Sequence, residues 1–249
     1  MSRQQAHIEI LADADAVAHR AVEMFAVCCE DAVRDRGVFR AAVSGGRAGG
    51  RFFASLGQSQ TGAALPWKRT HLFWADERWA PHDSPHSNYR LAVEGLLGRV
   101  PVPPGNVHPI PTSGTTPEAG AAEYERVLRG EFAVGPDRTP QFDLILLGMG
   151  AEGHTSSIFP GDVQSLHGEA WVRAVPEAAG FRRITLTGPV LRAGGSIIVM
   201  ITGAEKATTL ARVLNGPADE QQYPIAVVWP VLERVVWLID RQAASRLDS

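Results

Sequence analysis

The segment that decides the fold class is Arg40-Ala41-Ala42-Val43-Ser44-Gly45-Gly46-Arg47-Ala48-Gly49-Gly50-Arg51-Phe52-Phe53. Its first four residues, Arg40–Val43, end an apolar run without polar alternation, which is typical of a strand buried on both faces. The glycines at 45 and 46 permit a tight turn, and a helix is predicted over Ala48–Leu56. A strand that passes through a glycine turn into a helix is the repeating unit of an α/β protein.

The same alternation continues along the rest of the chain. Strands are predicted at His71–Trp74, Phe142–Leu147, Ile184–Leu186, Ser196–Ile201 and Val235–Ile239. Helices are predicted over Asp13–Arg36, Asn88–Leu97, Pro117–Arg129 and Glu205–Leu214, the first of them capped by Asp13 or Asp15 and stopped by Gly37. This pattern predicts βα units around a mainly parallel sheet.

The segment Pro101–Pro117 holds six of the 17 prolines and has two interpretations. It could be an interdomain linker, because proline-rich segments often are. We favour an ordered connection with a short strand near Val107–Ile110, since strand and helix patterns resume directly on each side. One domain over residues 1–249 is therefore expected.

Composition excludes several classes of protein. The 249 residues carry 24 basic and 27 acidic side chains and a net charge of −3, so neither nucleic acid nor an anionic membrane is expected as a partner. The longest aliphatic run, Ile197–Ile201, is far too short to cross a bilayer. Cys28 and Cys29 are adjacent and form no disulfide framework. A cytoplasmic location is the expectation.

In open parallel sheets, ligands bind outside the carboxyl ends of the strands, so the residues that follow each strand carry the functional prediction. After the strand ending at Val43 come Ser44, Gly45, Gly46 and Arg47. Glycines let the backbone approach an anion, the following helix directs free N–H groups at it, and an arginine adds a charged fork. The segment predicts a phosphate site, although a plain glycine turn has the same pattern.

Charged residues follow the second predicted strand, which ends at Trp74. Asp76 could orient a sugar hydroxyl or a base, and Arg78 could bind phosphate. Ser87 and Asn88, a little later, could simply cap a helix. A solvated loop with local ion pairs is the alternative interpretation of this segment.

The segment Gly148–Pro160 contains a literal G-x-G-x-x-G after a strand. A dinucleotide site is disfavoured, because that motif needs a continuing helix and Pro160 interrupts one. A glycine-rich loop that presents His154 makes better chemical sense, since an imidazole there can take a proton from water. Glu152 could hold the tautomer of that ring.

A fourth loop, Thr202–Lys206, again joins a strand to a helix. Lys206 is one of only two lysines among the 24 basic residues, and a cation at a helix start is unfavourable unless an anion is nearby. Lys206 is therefore a candidate phosphate ligand. His82 and His86 are set aside as a metal pair, because adjacent prolines oppose a helix there.

Taken in order, these loops resemble the 6-phosphogluconolactonase family, the second enzyme of the oxidative pentose phosphate pathway. That family carries strings close to S-G-G-S-T-P, D-E-R, S-N-Y, G-x-G-x-D-G-H-T-A-S-(L/I)-F-P and T-G-x-x-K. The matching residues are Ser44–Gly46, Asp76–Arg78, Ser87–Tyr89, Gly148–Pro160 and Thr202–Gly203 with Lys206, and Arg183–Thr187 fits a further family stretch. Two positions depart from the pattern: Arg47-Ala48 replaces hydroxyl residues, and Glu152 replaces Asp.

The resemblance implies a single-domain, doubly wound, Rossmann-like α/β fold and hydrolysis of 6-phospho-D-glucono-1,5-lactone. It implies His154 as general base, with Glu152 or Asp76 orienting that ring or binding sugar hydroxyls. The phosphate would be held by Ser44, Gly45, Gly46, Arg47, Arg78 and Lys206. No metal or organic cofactor is expected, the expected partner is a small sugar-phosphate lactone, and the chain would be a monomer or weak homo-oligomer.

Two alternatives within the same fold stay open at this point. Glucosamine-6-phosphate deaminases have a similar loop, but with a Glu immediately before the proline, where this chain has Phe159, and D-E-Y where it has Asp76-Glu77-Arg78. A non-catalytic sugar-phosphate sensor is the other, since a fold does not determine a function.

Overall fold

The computed structural model describes residues 6–135 and 138–247. Its strands along the chain are β1 (His7–Leu11), β2 (Phe39–Val43), β3 (Thr70–Trp74), β4 (Asp76–Arg78), β5 (Val107–His108), β6 (Leu144–Gly148), β7 (Val172–Ala178), β8 (Phe181–Leu186), β9 (Ser196–Ile201) and β10 (Val235–Asp240). Seven of them run parallel in a central sheet with the order β1-β10-β9-β6-β2-β3-β5.

The strand order reverses once in the middle of the sheet. From β2 the chain proceeds outward to β3 and β5, then returns to β6 on the other side of β2 and continues outward to β9 and β10. This arrangement confirms the predicted doubly wound α/β class. Such a reversal opens a crevice at the carboxyl ends of the two central strands, here β2 and β6.

The predicted strand Ile184–Leu186 is the second half of β8, and it lies outside the central sheet. The described residues place β8 between β4 and β7 in a small antiparallel sheet. Leu186 N–H donates to Ala75 O at 2.7 Å, which joins this sheet to the end of β3. Its apolar run resembled the central strands because Ile184 and Leu186 pack into the same hydrophobic core.

The helices are α1 (Ala14–Arg36), α2 (Gly46–Gln58), α3 (Gln60–Ala64), α4 (Asn88–Ala92), α5 (Pro117–Phe132), α6 (Val163–His167), α7 (Gly188–Arg192) and α8 (Ala207–Asn215). Asp13 caps α1 by accepting the N–H groups of residues 15 and 16, and Gly37 ends it in the left-handed region at φ 75°. Both capping predictions are confirmed.

Two predicted helices are α-helical over only part of their predicted length, whereas α2 and α5 extend beyond the predicted Ala48–Leu56 and Pro117–Arg129. The Asn88–Leu97 helix is regular only to Ala92 and continues as a wider π-helical turn, where Gly95 packs closely on Phe53 of α2. The helix predicted from Glu205 begins at Ala207, after a 3-10 turn over Ala204–Lys206. The proline-rich connection is ordered and contributes β5, a shorter strand than Val107–Ile110.

Aromatic side chains fill the core between α1, α2 and the sheet. Phe25 of α1 lies 5.0 Å from Phe39 and 5.5 Å from Phe52, measured between ring centroids. Cys29 belongs to the same hydrophobic core, and burial raises the pKa of its thiol to about 11, in keeping with a packing role. Among the helices of the described residues, none has the length and apolar character needed to cross a membrane.

Candidate active site

A cleft of about 230 Å³ opens where the sheet order reverses. Every predicted site residue except Glu152 lines it, although these residues are spread over more than 160 positions of the chain, from Ser44 to Lys206. The lining residues are Ser44, Gly45, Gly46, Arg47, Ala48, Asp76, Arg78, Asn88, Gly148, Met149, Gly150, Ala151, His154, Ser156, Arg183, Glu205 and Lys206.

The amino-terminal end of α2 forms one wall of the cleft. Gly45 occupies its N-cap position, and within the described chain no side chain caps the helix and no acidic residue lies in its first turn. Gly45 packs directly on the side chain of Asn88, where a Cβ atom would overlap it. Ser44 Oγ is buried beside this turn and has no partner among the described protein atoms. The wall therefore offers free N–H groups and a hydroxyl to an anion.

Two cations and one carboxylate stand at the mouth of the cleft. Arg47 pairs with Glu205, and both side chains are largely exposed. Lys206 is half-buried, and its burial together with the nearby charge of Arg47 lowers the pKa of its ammonium group. Gly203 N–H donates to the buried Asp240 carboxylate at 3.0 Å, which fixes the loop that carries Lys206.

Asp76 and Arg78 are held in place by Asn88. The Asp76 carboxylate is buried and accepts a hydrogen bond from Ser157 Oγ at 2.7 Å, while Asn88 Nδ2 donates to Asp76 O at 2.9 Å. Arg78 Nη1 donates to Asn88 Oδ1 at 2.7 Å, and Arg78 Nε is buried without a partner among the described residues. The Asp76 carboxylate can therefore accept a further hydrogen bond, and Arg78 Nε can donate one.

The residue between them, Glu77, is one that the sequence reasoning did not assign. Its fully buried carboxylate accepts hydrogen bonds from the N–H groups of Arg78, Asn88 and Tyr89 at 2.8 Å each and from Ser87 Oγ at 2.9 Å. Burial raises the pKa of Glu77, and the four donated hydrogen bonds act in the opposite direction. Glu77 thus joins β4 to the start of α4 and sets the position of Asn88.

His154 and Glu152 form a pair at the end of β6. His154 Nδ1 lies 2.8 Å from Glu152 Oε1, so the longer acidic side chain does reach the ring. Both side chains pack over Gly150, where a Cβ atom would overlap the imidazole, and the ring of Phe159 lies 4.6 Å from it. In the part of the chain that the structure describes, neither Asp76 nor any other residue hydrogen-bonds the ring's Nε2.

Competing effects set the pKa of Glu152. Burial raises this pKa. The hydrogen bonds from the N–H of Glu152 itself and from His154, together with the charges of His154 and Arg183, act in the opposite direction, and the net pKa is lowered. When the ring carries its proton on Nδ1, the Glu152 carboxylate accepts it, and Nε2 is then the ring atom that can accept a proton.

Arg183 is a further cleft residue that the sequence reasoning left without a role. It lies on β8 directly opposite Arg78 of β4, is buried, and has its guanidinium 5.5 Å from the ring of Phe159. Burial first, and then the neighbouring Arg78, lower its pKa. In the sequence Arg183 stands beside a second arginine, Arg182, which is exposed, so the local pattern gave no signal that Arg183 is buried.

In the part of the chain that the structure describes, two constellations that the sequence disfavoured have a geometry unlike that of such sites. His82 Nε2 bonds to Ile110 O at 2.9 Å, whereas His86 packs against Phe181, so these imidazoles have separate surroundings. The G-x-G-x-x-G loop is followed by a short turn, and the next helix begins only at Val163. The helix that a dinucleotide fingerprint requires does not follow the loop directly.

Comparison with known proteins gives a consistent assignment. The family model of glucosamine-6-phosphate isomerases and 6-phosphogluconolactonases matches residues 12–237. The chain is 35% identical over 240 residues to a 6-phosphogluconolactonase of Synechocystis, covering 96% of this chain and 98% of that protein. It is also 35% identical over 248 residues to that of Mycobacterium tuberculosis, covering 97% and 98%.

Solved structures agree in fold. The crystal structure of 6-phosphogluconolactonase from Thermotoga maritima has a TM-score of 0.78 and 30% identity, covering 94% of this chain and 99% of that one. A monomeric glucosamine-6-phosphate deaminase shares the fold alone, with a TM-score of 0.80 at 17% identity, covering 96% and 99%. The chain belongs to the family of glucosamine-6-phosphate isomerases and 6-phosphogluconolactonases.

Proposed function

We propose that this protein hydrolyses 6-phospho-D-glucono-1,5-lactone to 6-phosphogluconate. The observation that carries the proposal is the His154–Glu152 pair at one side of a cleft whose other side holds an uncapped helix terminus and two cations. Lactone hydrolysis needs a water activated near the carbonyl, which the His154–Glu152 pair can supply. It also needs the phosphate to be bound in place, which the helix terminus and the two cations can do. Relatives named 6-phosphogluconolactonase over almost the whole chain support the same activity.

In the proposed mechanism, His154 Nε2 takes a proton from the water that attacks the carbonyl carbon. The tetrahedral intermediate then breaks the bond between this carbon and the ring oxygen, and the imidazolium returns its proton to the departing oxygen. Glu152 holds the ring through Nδ1 and stabilises the imidazolium while it carries the positive charge. Proton transfer of this kind contributes about 10²–10⁴-fold to the rate.

The substrate's phosphate would bind at the start of α2, between Arg47 and Lys206. Ser44, Gly45 and Gly46 supply the adjoining hydroxyl and backbone groups, and the anion replaces Glu205 as the partner of Arg47. Binding at this end positions the carbonyl near His154, which converts binding free energy into orientation.

Asp76 and Arg78 are assigned to the sugar ring. The Asp76 carboxylate, already held by Ser157 and Asn88, has acceptor capacity for a sugar hydroxyl. Arg78 and the neighbouring Arg183 place positive charge where negative charge develops on the carbonyl oxygen.

The position before Pro160 favours this reaction over deamination. Phe159 presents an apolar ring to His154 at 4.6 Å, where the resembling deaminases carry a carboxylate.

Cytoplasmic location, a monomeric or weakly associating state, and a single domain over residues 1–249 stay predictions.

The decisive experiment is a lactonase assay on freshly generated 6-phosphogluconolactone, corrected for spontaneous hydrolysis. The wild-type protein should turn over the lactone, and His154→Ala should lower kcat by about 10²–10⁴-fold with KM changed less than about threefold. His167→Ala is the matched control, because that imidazole also lies near a carboxylate, Glu220 at 3.8 Å, but does not line the cleft.

Two results would overturn the proposal. Near-normal kcat in His154→Ala would show that His154 is not the general base. Release of ammonia from glucosamine 6-phosphate without lactone hydrolysis would assign the cleft to the deaminase reaction.

A further inference from the structure

A cluster of three metal-ligating side chains lies away from the cleft. His71 is on β3, His108 is on the edge strand β5, and Glu131 is in the last turn of α5. His71 is the second residue of β3 and pairs with the second residue of β2, so the cluster lies towards the amino end of these strands. The cleft lies at their carboxyl ends, and none of the three residues lines it.

Three donor atoms of this cluster lie within 4.0 Å of one another. His71 Nδ1 is 3.1 Å from His108 Nε2 and 3.4 Å from Glu131 Oε2, and the latter two atoms are 4.0 Å apart. A triangle with these sides has a circumscribed radius of about 2.1 Å, which matches the length of Zn–N and Zn–O bonds in proteins. A single ion at that centre would lie within bonding distance of all three atoms and would replace the hydrogen bond between the two imidazoles.

The packing holds the imidazoles in this arrangement. The His108 ring stacks on His71 with an interplanar angle of 9° and on Phe73 with an angle of 10° at 4.4 Å between centroids. The side chains of His71, His108 and Glu131 retain 20%, 9% and 32% of their exposure, so an ion can enter from solvent. A site held in place before binding loses little conformational entropy when the ion arrives.

The chemistry of the donor set selects the metal. Two imidazole nitrogens and one carboxylate oxygen suit Zn²⁺ and related transition metals, whereas Mg²⁺ and Ca²⁺ prefer oxygen alone. Glu131 and the carboxyl end of α5 provide negative potential. Arg40 opposes them, since its charge contributes to the lowered pKa of both imidazoles, where burial is the larger cause.

We propose that His71, His108 and Glu131 form a Zn²⁺ site with water at the fourth position. The ion would link β3, the edge strand β5 and the end of α5. Because β5 lies within the proline-rich connection over 101–117, the ion would hold that connection against the sheet. Its role is structural, because the site lies outside the cleft. Binding to the folded chain alone raises its stability by mass action.

The test is a Zn²⁺ titration of the metal-stripped, full-length protein by calorimetry, with Co²⁺ absorption as a second readout of coordination. One ion should bind per chain and raise Tm. His71→Ala and Glu131→Gln should each weaken Zn²⁺ affinity by at least about tenfold, and both should keep lactonase activity without metal. The Glu131 side chain is partly exposed, and glutamine has nearly the same shape. Glu131→Gln therefore keeps the test valid if the histidine variant folds poorly.

Two controls separate this site from other imidazoles. His154→Ala removes the histidine of the cleft and His167→Ala removes an exposed histidine near Glu220, and neither should change the affinity. Zn²⁺ binding that is lost in His154→Ala, unaffected in His71→Ala and Glu131→Gln, or absent from the wild-type protein would overturn the proposal.

Discussion

Replacing Glu77 by glutamine tests whether one buried carboxylate holds the sugar-binding side of the cleft together. Three of its four partners are backbone N–H groups, of Arg78, Asn88 and Tyr89, and these can only donate. The fourth partner, the hydroxyl of Ser87, can rotate and accept instead. Glutamine has one acceptor oxygen, so in either orientation at least one buried backbone N–H loses its partner.

The expected loss of stability follows from this count. An unpartnered buried N–H costs about 1–3 kcal/mol. The other hydrogen bonds change from charge-assisted to neutral, at about 1 kcal/mol each, while removing a buried charge offsets part of that loss. We expect Glu77→Gln to lower the free energy of unfolding by about 2–4 kcal/mol.

Urea denaturation measures the change, and Glu23→Gln is the matched control because that carboxylate forms only an exposed pair with Arg20. The control should change stability by less than about 1 kcal/mol. Because Glu77 anchors Arg78 and Asn88, the variant should also lower kcat/KM for the lactone. A loss of under 1 kcal/mol with unchanged kcat/KM would refute the reasoning.

Burial and the charge of Arg47 lower the pKa of Lys206 below 10.5. Affinity for the product, 6-phosphogluconate, should therefore fall as the pH rises through that lowered pKa and Lys206 loses its charge. Lys206→Arg should remove this pH dependence, because arginine keeps its charge. Calorimetry between pH 7 and 10 checks this, and an identical decline in the arginine variant would contradict it. Tyr124→Phe should lower the free energy of unfolding by about 2–4 kcal/mol, because it leaves the N–H and C=O of Trp74 without the buried hydroxyl. A urea denaturation curve that matches the wild type would contradict the second prediction.

The loops after the strands were predictable because their signals are local. Glycines at a turn, a histidine beside a carboxylate and a misplaced lysine can all be interpreted from neighbouring residues alone. Their convergence was predictable too, since parallel strands present their carboxyl ends at one edge of the sheet. Whether Glu152 or Asp76 contacts the histidine was left open, and the structure places Glu152 against it.

Contacts between distant segments were not predictable in the same way. Ile184 and Leu186 have the apolar pattern of a central strand, yet β8 pairs with β4 in the smaller sheet and so brings Arg183 beside Arg78. Glu77 was passed over because its partners at 87–89 are brought to it by the turn before α4.

The amino-acid sequence by itself determined the alternation of strands and helices, their caps and the chemistry of each loop, because burial periodicity and turn propensity act over a few residues. Only the tertiary structure decided which side chains meet: the four donors around Glu77, the paired arginines, and the convergence of His71, His108 and Glu131. The reason is that these meetings depend on strand register and on the paths of the connections, and a shift of one residue between two strands alone turns every side chain to the opposite face.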